Sequence, residues 1–328
     1  MAGNRRWGRW VVFLAAVVIV AALAISHRGR DRGDAGPSPS PGSSSTAPFT
    51  GAPAQEARPV LAVKIDNVSA ARPQTGLTKA DIVYVEEVEG GLSRILAVFS
   101  SQLPARVGPV RSARESDLEL LRQFGSPALA YSGAQSKLLP LIAAAPVHDV
   151  SPAHAPQAYA RDSSRPAPHN LYASPRELLA AAPGASLSRD IGFRFGAAPS
   201  GGTPTARETV RFPSATVGLR WSTDRARWLV SFDGRPATAT EGGQLGAPTV
   251  VIQYVTVRAS GYHDRLGNAS PYSETVGSGR ALVLRDGKAY DTRWSRPSAA
   301  QGTAFTTTDG MPMRFAPGQV WVVLAPRP

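Results

Sequence analysis

ADIVYVEEVEGGLSRILAVFSSQLPARVGPVRSAR, residues 80–114, sets two β-prone runs on either side of Gly90-Gly91. Ile82, Val83, Tyr84 and Val85 are β-branched or aromatic, as are several residues from Ile95 to Phe99, and such side chains fit a pleated surface. Paired glycines accept the positive φ of a tight turn, so a β-hairpin is expected here. That hairpin returns Arg94 toward Glu87 and Glu89. Beyond a loop at Pro104–Pro109 the chain reaches Arg111-Ser112-Ala113-Arg114. Ser112 followed by Glu115 matches a capping box, which starts a helix. Two arginines at a helix start, beside free backbone N–H groups, form an expected anion site. The plainer reading is an ion-paired hairpin that only stabilises itself, because structural ion pairs also cluster charge.

Just upstream, PVLAVKIDN, residues 59–67, alternates Leu61, Val63 and Ile65 with Ala62, Lys64 and Asp66. That is the period of a strand. It ends in Asp66-Asn67, and the carboxyl ends of strands are where open α/β sheets bind ligands. The alternative is that both residues shape the following turn. A loop marked by Pro73 and Gly76 carries Arg72.

Further upstream, Gly33–Arg58 contains PSPSPGSSSTAP and no apolar period, so it reads as a disordered spacer. Arg5, Arg6 and Arg9 precede an apolar run, Trp10–Ile25. This is a charged segment followed by a hydrophobic one, as in export signals. The run is short beside the roughly 20 residues of a spanning helix. Cleavage cues are weak, so residues 1–27 are read as a signal peptide or an uncleaved membrane anchor, with residues 28–58 as linker.

Downstream of Ser112, Leu118, Leu120, Leu121 and Phe124 form a helical stripe that Gly125 ends. Pro127–Tyr131 reads as a buried strand, and Lys137–Ala145 as a helix with Leu138, Leu141 and Ile142 inward. Ser174-Pro175-Arg176-Glu177 starts a third helix. The order strand, hairpin, helix, strand, helix predicts a mixed sheet with helices against it over residues 59–196. Pro146–Leu171 is long and irregular, as functional or mobile loops are. It runs into Pro168-His169-Asn170-Leu171-Tyr172. His169 and Asn170 reach a ligand in one reading and hold loop backbone in the other.

Ala197–Pro204, AAPSGGTP, is read as an interdomain joint. After it, seven β runs are expected: Val210–Phe212, Trp228–Phe232, Thr249–Val257, Tyr272–Val276, Ala281–Arg285, Lys288–Tyr290 and Gln319–Ala325. Asp233-Gly234 and Asp286-Gly287 mark tight turns. Residues 205–328 are thus an expected sandwich or open barrel. The fold class is α+β: a mixed α/β domain with a β-hairpin, then a smaller mostly-β domain. Trp221, Trp228, Trp294 and Trp321 read as core; Trp294, between Arg293 and Arg296, is the one weighed as a sugar platform.

The formal net charge is +12, from 36 Lys and Arg against 24 Asp and Glu. Nucleic acid is the first partner such a charge suggests. The arginines are dispersed, without a basic run interleaved with aromatics, so nucleic acid is not expected. An anionic wall polymer or lipid headgroup fits the charge. The chain has no cysteine, which excludes disulfides, a thiolate nucleophile, cysteine zinc sites and an acylated N-terminal cysteine. G-x-S-x-G, H-E-x-x-H, S-x-x-K and Walker spacings are missing. Adjacent strand residues face opposite ways, so without a bulge Glu86 and Glu87 do not share a site, whereas Glu87 and Glu89 are expected on one face.

Several motifs together carry a resemblance. They are Val63-Lys64-Ile65-Asp66-Asn67, Ala71-Arg72-Pro73-Gln74-Thr75-Gly76-Leu77, Glu87-Val88-Glu89-Gly90-Gly91, Val107–Arg114 and Pro168–Tyr172, with Gly277-Ser278-Gly279 and Trp294 downstream. Over residues 58–328 the chain resembles the YerB-like lipoprotein family of Gram-positive and actinobacterial envelopes. That resemblance implies an envelope location and no settled biochemical function. Many members resemble lipoproteins with an acylated cysteine. Lacking one, this chain depends on Trp10–Ile25 for any membrane attachment.

The expected function is a non-catalytic, membrane-tethered envelope protein that binds a phosphate- or carboxylate-bearing polymer or lipid-linked precursor. The expected groove is formed by Asp66, Asn67, Arg72, Arg94, Arg111, Ser112, Arg114, His169 and Asn170, with Glu87 and Glu89 beside it. Arginines there grip the anion by bidentate contacts. The alternatives are a transferase or hydrolase using the Glu87 and Glu89 face, or a scaffold docking a protein through residues 205–328. No cofactor or metal is expected.

Overall fold

The computed structural model describes residues 46–53, 56–264 and 267–328. The expected signal or anchor over residues 1–27, and most of the linker, lie outside the described residues. Among those described, no helix is long and apolar enough to cross a membrane. Part of the stretch read as linker is ordered: Thr46 bridges to Pro53, and Phe49 packs edge-on against Phe124, 5.3 Å between ring centroids.

The expected hairpin sits in the middle of an 11-stranded sheet. In chain order its first strands are β1 (Leu61–Asp66), β2 (Ile82–Val88), β3 (Leu92–Phe99), β4 (Ala128–Ala130) and β5 (His148–Asp149). Their order in the sheet is β2-β3-β1-β4-β5. β2 pairs antiparallel with β3 through a turn in which Gly90 and Gly91 have φ of 68° and 69°. On its other edge β2 pairs in parallel with Val320–Pro326. The sheet then continues through Thr249–Val255, Gly277–Arg285, Lys288–Arg296 and Ala304–Thr307.

The expectation of a separate sandwich or barrel over residues 205–328 is therefore corrected. Five strands of that half extend the sheet begun by the hairpin. Arg207–Phe212, Ala215–Ser222 and Arg227–Phe232 form a second, smaller sheet. It packs Trp228, Val230 and Phe232 against the first, together with Val63, Val85 and Trp321. Ala215–Ser222, Val257–His263 and Ala304–Thr307 were not anticipated. The first and last of these runs mix threonine, serine or glycine with apolar residues, and the middle one has a single buried residue, so the period is weak.

Helices are few and short, which corrects the α/β description of the first half: the described chain is strongly β-rich. Three α-helices are described: α1 (Glu115–Leu121), α2 (Leu139–Ala144) and α3 (Pro175–Ala180). α1 starts with Arg114 as N-cap rather than Ser112, and Leu120, Leu121 and Phe124 bury against Ala62, Tyr84, Leu96 and Val98. Leu138, just before α2, and Ile142 within it are buried, but Leu141 is 43% exposed. α3 begins as expected, Ser174 Oγ accepting the Glu177 N–H. Trp294 is buried and its Nε1 donates to the Tyr254 carbonyl at 2.9 Å. That orientation leaves no face for a sugar.

Candidate functional site

The site forms where the sheet face under α1 stops being apolar. Cross-strand neighbours share a face. Ala62, Val98 and Ile82 make one row across β1, β3 and β2; Lys64, Leu96 and Tyr84 make the next; Asp66, Arg94 and Glu86 make the last. Hydrocarbon in the middle thus gives way to charge at the end of the face.

Two charged clusters result. In the first, Lys64 Nζ donates to Glu86 Oε1 and, at 2.6 Å, to Asp117 Oδ1. Ser116 Oγ donates to Glu86 Oε2 at 3.0 Å. All four residues are buried. Burial pushes the Glu86 carboxyl up by more than the Lys64 charge brings it down. This cluster fastens α1 to the sheet.

In the second cluster Asp66 Oδ2 takes a hydrogen bond from His169 Nδ1 at 2.7 Å. An ionised carboxylate only accepts, so Nδ1 carries the proton there. Arg111 Nε lies 3.0 Å from the same oxygen, yet its N–H is not aimed as a hydrogen bond and it remains a buried unsatisfied donor. Arg114 Nη2 donates to Glu89 Oε2 at 2.5 Å, and Ser270 Oγ donates to Glu89 Oε1. Burial alone raises the Glu89 carboxyl; the Arg114 hydrogen bond and charge, with Ser270, outweigh it and hold it below its usual value.

Arg94 lies among these groups. It is 8% exposed, and no carboxylate among the described residues forms a salt bridge with it. Its Nη1 donates to the Ser112 carbonyl at 3.2 Å, and its Nε has no partner. Burial and the neighbouring Arg114 bring its pKa down to about 10, against the pull of Asp66 and Glu89. Arg296 offers a contrast. It is fully buried, but its nitrogens reach the carbonyls of Gln301, Glu119, Leu120 and Ala299 and the Thr275 hydroxyl. One arginine is saturated at the C-terminal end of α1, where positive charge is favoured. The other is held short of partners. The Nε of Arg114 is likewise buried and unsatisfied.

A cavity of about 600 Å³ opens beside these groups. Its basic wall is Arg94, Arg111, Arg114 and Arg161. Gln135 and Leu138 lie on the side of α2, and Tyr262, His263 and Ser270 come from a β-hairpin of the second half, Val257–His263 with Ala269–Ser273. That hairpin is tied to α1 by Tyr272, whose hydroxyl donates to Glu119 at 2.8 Å.

Of the residues expected at a site, Glu89, Arg94, Arg111, Ser112 and Arg114 line this cavity. Ser112 contributes its carbonyl, and Asp66 and His169 stand behind Arg111. The others go elsewhere. Arg72 pairs with Asp233 at 2.9 Å and lies over the Phe232 ring. Asn67 donates to Ser93 and accepts from Gln74. Asn170 receives Arg161 at 2.8 Å and donates to loop carbonyls. Glu87 is half-buried opposite Ser93, on the other face from Arg94. The hairpin therefore turns Arg94 toward Glu86 and not toward Glu87, and Glu89 sits in the turn itself. The helix start supplies less than expected: Asp117 already accepts the Arg114 N–H at 2.7 Å.

Sequence reading missed the Lys64–Glu86–Asp117 cluster, although the strand period put Lys64 and Asp66 on one face. Arg161 lies inside the long loop Pro146–Leu171, where no local pattern sets it apart. The hairpin wall had no local signal, because Ser270 and Glu89 are 181 residues apart.

The geometry defines a β-rich protein with an arginine-lined cavity at the charged end of its main sheet. Family comparison places the chain: it belongs to the DUF3048 family. Residues 49–188 match "Protein of unknown function (DUF3048) N-terminal domain" and residues 208–322 its C-terminal domain. It is 31% identical, over 85% of its length and 86% of the other's, to "Putative lipoprotein YerB" of Bacillus subtilis strain 168. The crystal structure of YerB from Bacillus subtilis aligns with a TM-score of 0.73 at 24% identity, covering 86% of this chain and 97% of that one. This second likeness concerns the fold.

Proposed function

We propose that this protein binds an anionic ligand, phosphate- or carboxylate-bearing, in the arginine-lined cavity, and does so as a non-catalytic component of the cell envelope. One observation carries the reading. Arg94 is buried with one carbonyl partner, whereas the other buried arginines among the described residues, Arg285 and Arg296, each have several partners. A buried charge without compensation is costly, and an oxyanion in the cavity would supply what Arg94 lacks. Arg111 and Arg114 flank it with unsatisfied Nε donors, suited to forked contacts with an oxyanion. The relative's name, with the charged and apolar start of this chain, supports a position outside the membrane. The chain has no cysteine to acylate, so Trp10–Ile25 is the segment available for attachment.

Isothermal titration of the full chain with inorganic phosphate, pyrophosphate and citrate tests the reading. At least one is expected to bind, with affinity reduced tenfold or more in Arg111→Gln. Heats of dilution for all three would end it.

A second reading, an enzyme acting on the same ligand, rests on His169. Asp66 fixes its Nδ1 proton, and Nε2 has no hydrogen-bond partner among the described residues, the arrangement of an oriented general base. Turnover of a phosphate ester that disappears in His169→Gln, while phosphate still binds, would favour it.

A further inference from the structure

The wall of the cavity continues into an apolar helix. Gln135 and Leu138 line the cavity, and α2, LPLIAA, follows at once. α2 contains no polar side chain. A helix that is apolar all round is ordinarily buried, yet here only Ile142 is buried. Leu139 and Leu141 are 45% and 43% exposed, and Pro140, Ala143 and Ala144 are exposed with them. Lys137, also exposed, stands at the start of this surface. A basic cavity and a bare hydrocarbon surface therefore adjoin.

We infer that the ligand is a phosphate-headed lipid, its phosphate among Arg94, Arg111 and Arg114 and its chain laid along α2. The inference rests on the anion-binding reading of the same cavity and extends it to a ligand class. Charge complementarity selects the head. The cavity lining sets the guanidiniums of Arg94, Arg111, Arg114 and Arg161 against the carboxylates of Glu89, Glu115 and Asp264; the guanidiniums are in excess, and arginine forks match phosphate. Volume and surface select the tail. A cavity of about 600 Å³ exceeds what a bare phosphate fills and is of the size that accepts small organic ligands. Each methylene laid on an apolar surface adds affinity in proportion to the area it removes from water. Lys137, exposed at the start of this surface, adds a positive charge beside the hydrocarbon, where interfacial lysines are found.

The test uses the full chain and soluble probes, which removes any need for a bilayer. Glycerol 3-phosphate and dihexanoyl phosphatidic acid share a head and differ in chains. The lipid is expected to bind at least tenfold more tightly. Leu139→Ser with Leu141→Ser should abolish that gain and leave glycerol 3-phosphate affinity unchanged. Both substitutions are on the surface, and circular dichroism checks the fold. Arg94→Met should weaken both probes tenfold or more. Equal affinity for the two probes, or a gain that survives the double substitution, overturns the lipid assignment while the anion site stands. Binding of neither probe removes both.

Discussion

Arg94 is under-partnered in the unliganded protein, and this makes a definite expectation. Arg94→Met removes a buried guanidinium and keeps most of the volume. Replacing a poorly compensated buried charge by hydrocarbon is neutral or stabilising by about 1–4 kcal/mol. The thermal midpoint of the unliganded variant should therefore equal or exceed that of the parent while phosphate affinity falls. A midpoint lowered by more than a few degrees would assign Arg94 a purely structural role. Lys64 is the opposite case. Lys64→Met strands Glu86 and Asp117 in the interior, and breaking a buried pair costs about 3–5 kcal/mol. Glu86→Gln leaves Lys64 with Asp117 and should cost far less in a urea titration.

The two glutamates also titrate in opposite senses. The Glu89 carboxyl is held below its ordinary 4.5, so its contribution is present above pH 4.5 and is lost as pH falls through the lower folded value. The Glu86 carboxyl is raised above 4.5. Its contribution is present below pH 4.5 and is lost as pH rises through the folded value. Stability measured against pH should thus fall less steeply above pH 4.5 in Glu86→Gln and less steeply below it in Glu89→Gln. Unchanged profiles would refute the assignment.

Among the elements, the β2–β3 turn shows how local chemistry and tertiary contact divide the work. Gly90 and Gly91 share a positive φ. A Cβ at Gly90 would meet nothing within 4 Å, whereas one at Gly91 would lie 2.5 Å from Pro213 Cβ. Gly90→Ala should cost the left-handed penalty of about 1–2 kcal/mol. Gly91→Ala should cost clearly more, since the backbone of the second half must also shift; chemical denaturation of both variants compares them. This hairpin was legible because paired glycines and β-branched runs are local signals. So were the start of α3 and the turns at Asp233-Gly234 and Asp286-Gly287, where both residues take positive φ. The convergence of Arg94, Arg111 and Arg114 was legible from strand period and chain proximity. The face taken by Glu87 was not, because Glu89 leaves the strand for the turn and β2 presents Glu86 beside Arg94. Nor was the dispersal of Arg72, whose partners Asp233 and Phe232 lie in the second half, or of Asn170, which the short pairing of Tyr159–Arg161 with Leu171–Ala173 brings to Arg161.

At the scale of the molecule, the central sheet is built side by side from the two halves of the sequence, which meet at one seam between β2 and Val320–Pro326. β2 is paired on one side by β3 and on the other by Val320–Pro326. Arg296 and Tyr272 of the second half hold α1 of the first. Residues 1–204 produced alone should therefore expose the edge of β2 and aggregate. Production together with residues 205–328 should restore a soluble complex, with β2 amides protected from hydrogen exchange. A monomeric, protected first half would contradict this wiring. The strand Val320–Pro326 fills the middle of the sheet, yet it follows every other strand of that sheet in the chain. During synthesis the open edge of β2 therefore waits for a partner that arrives after all its neighbours have been made.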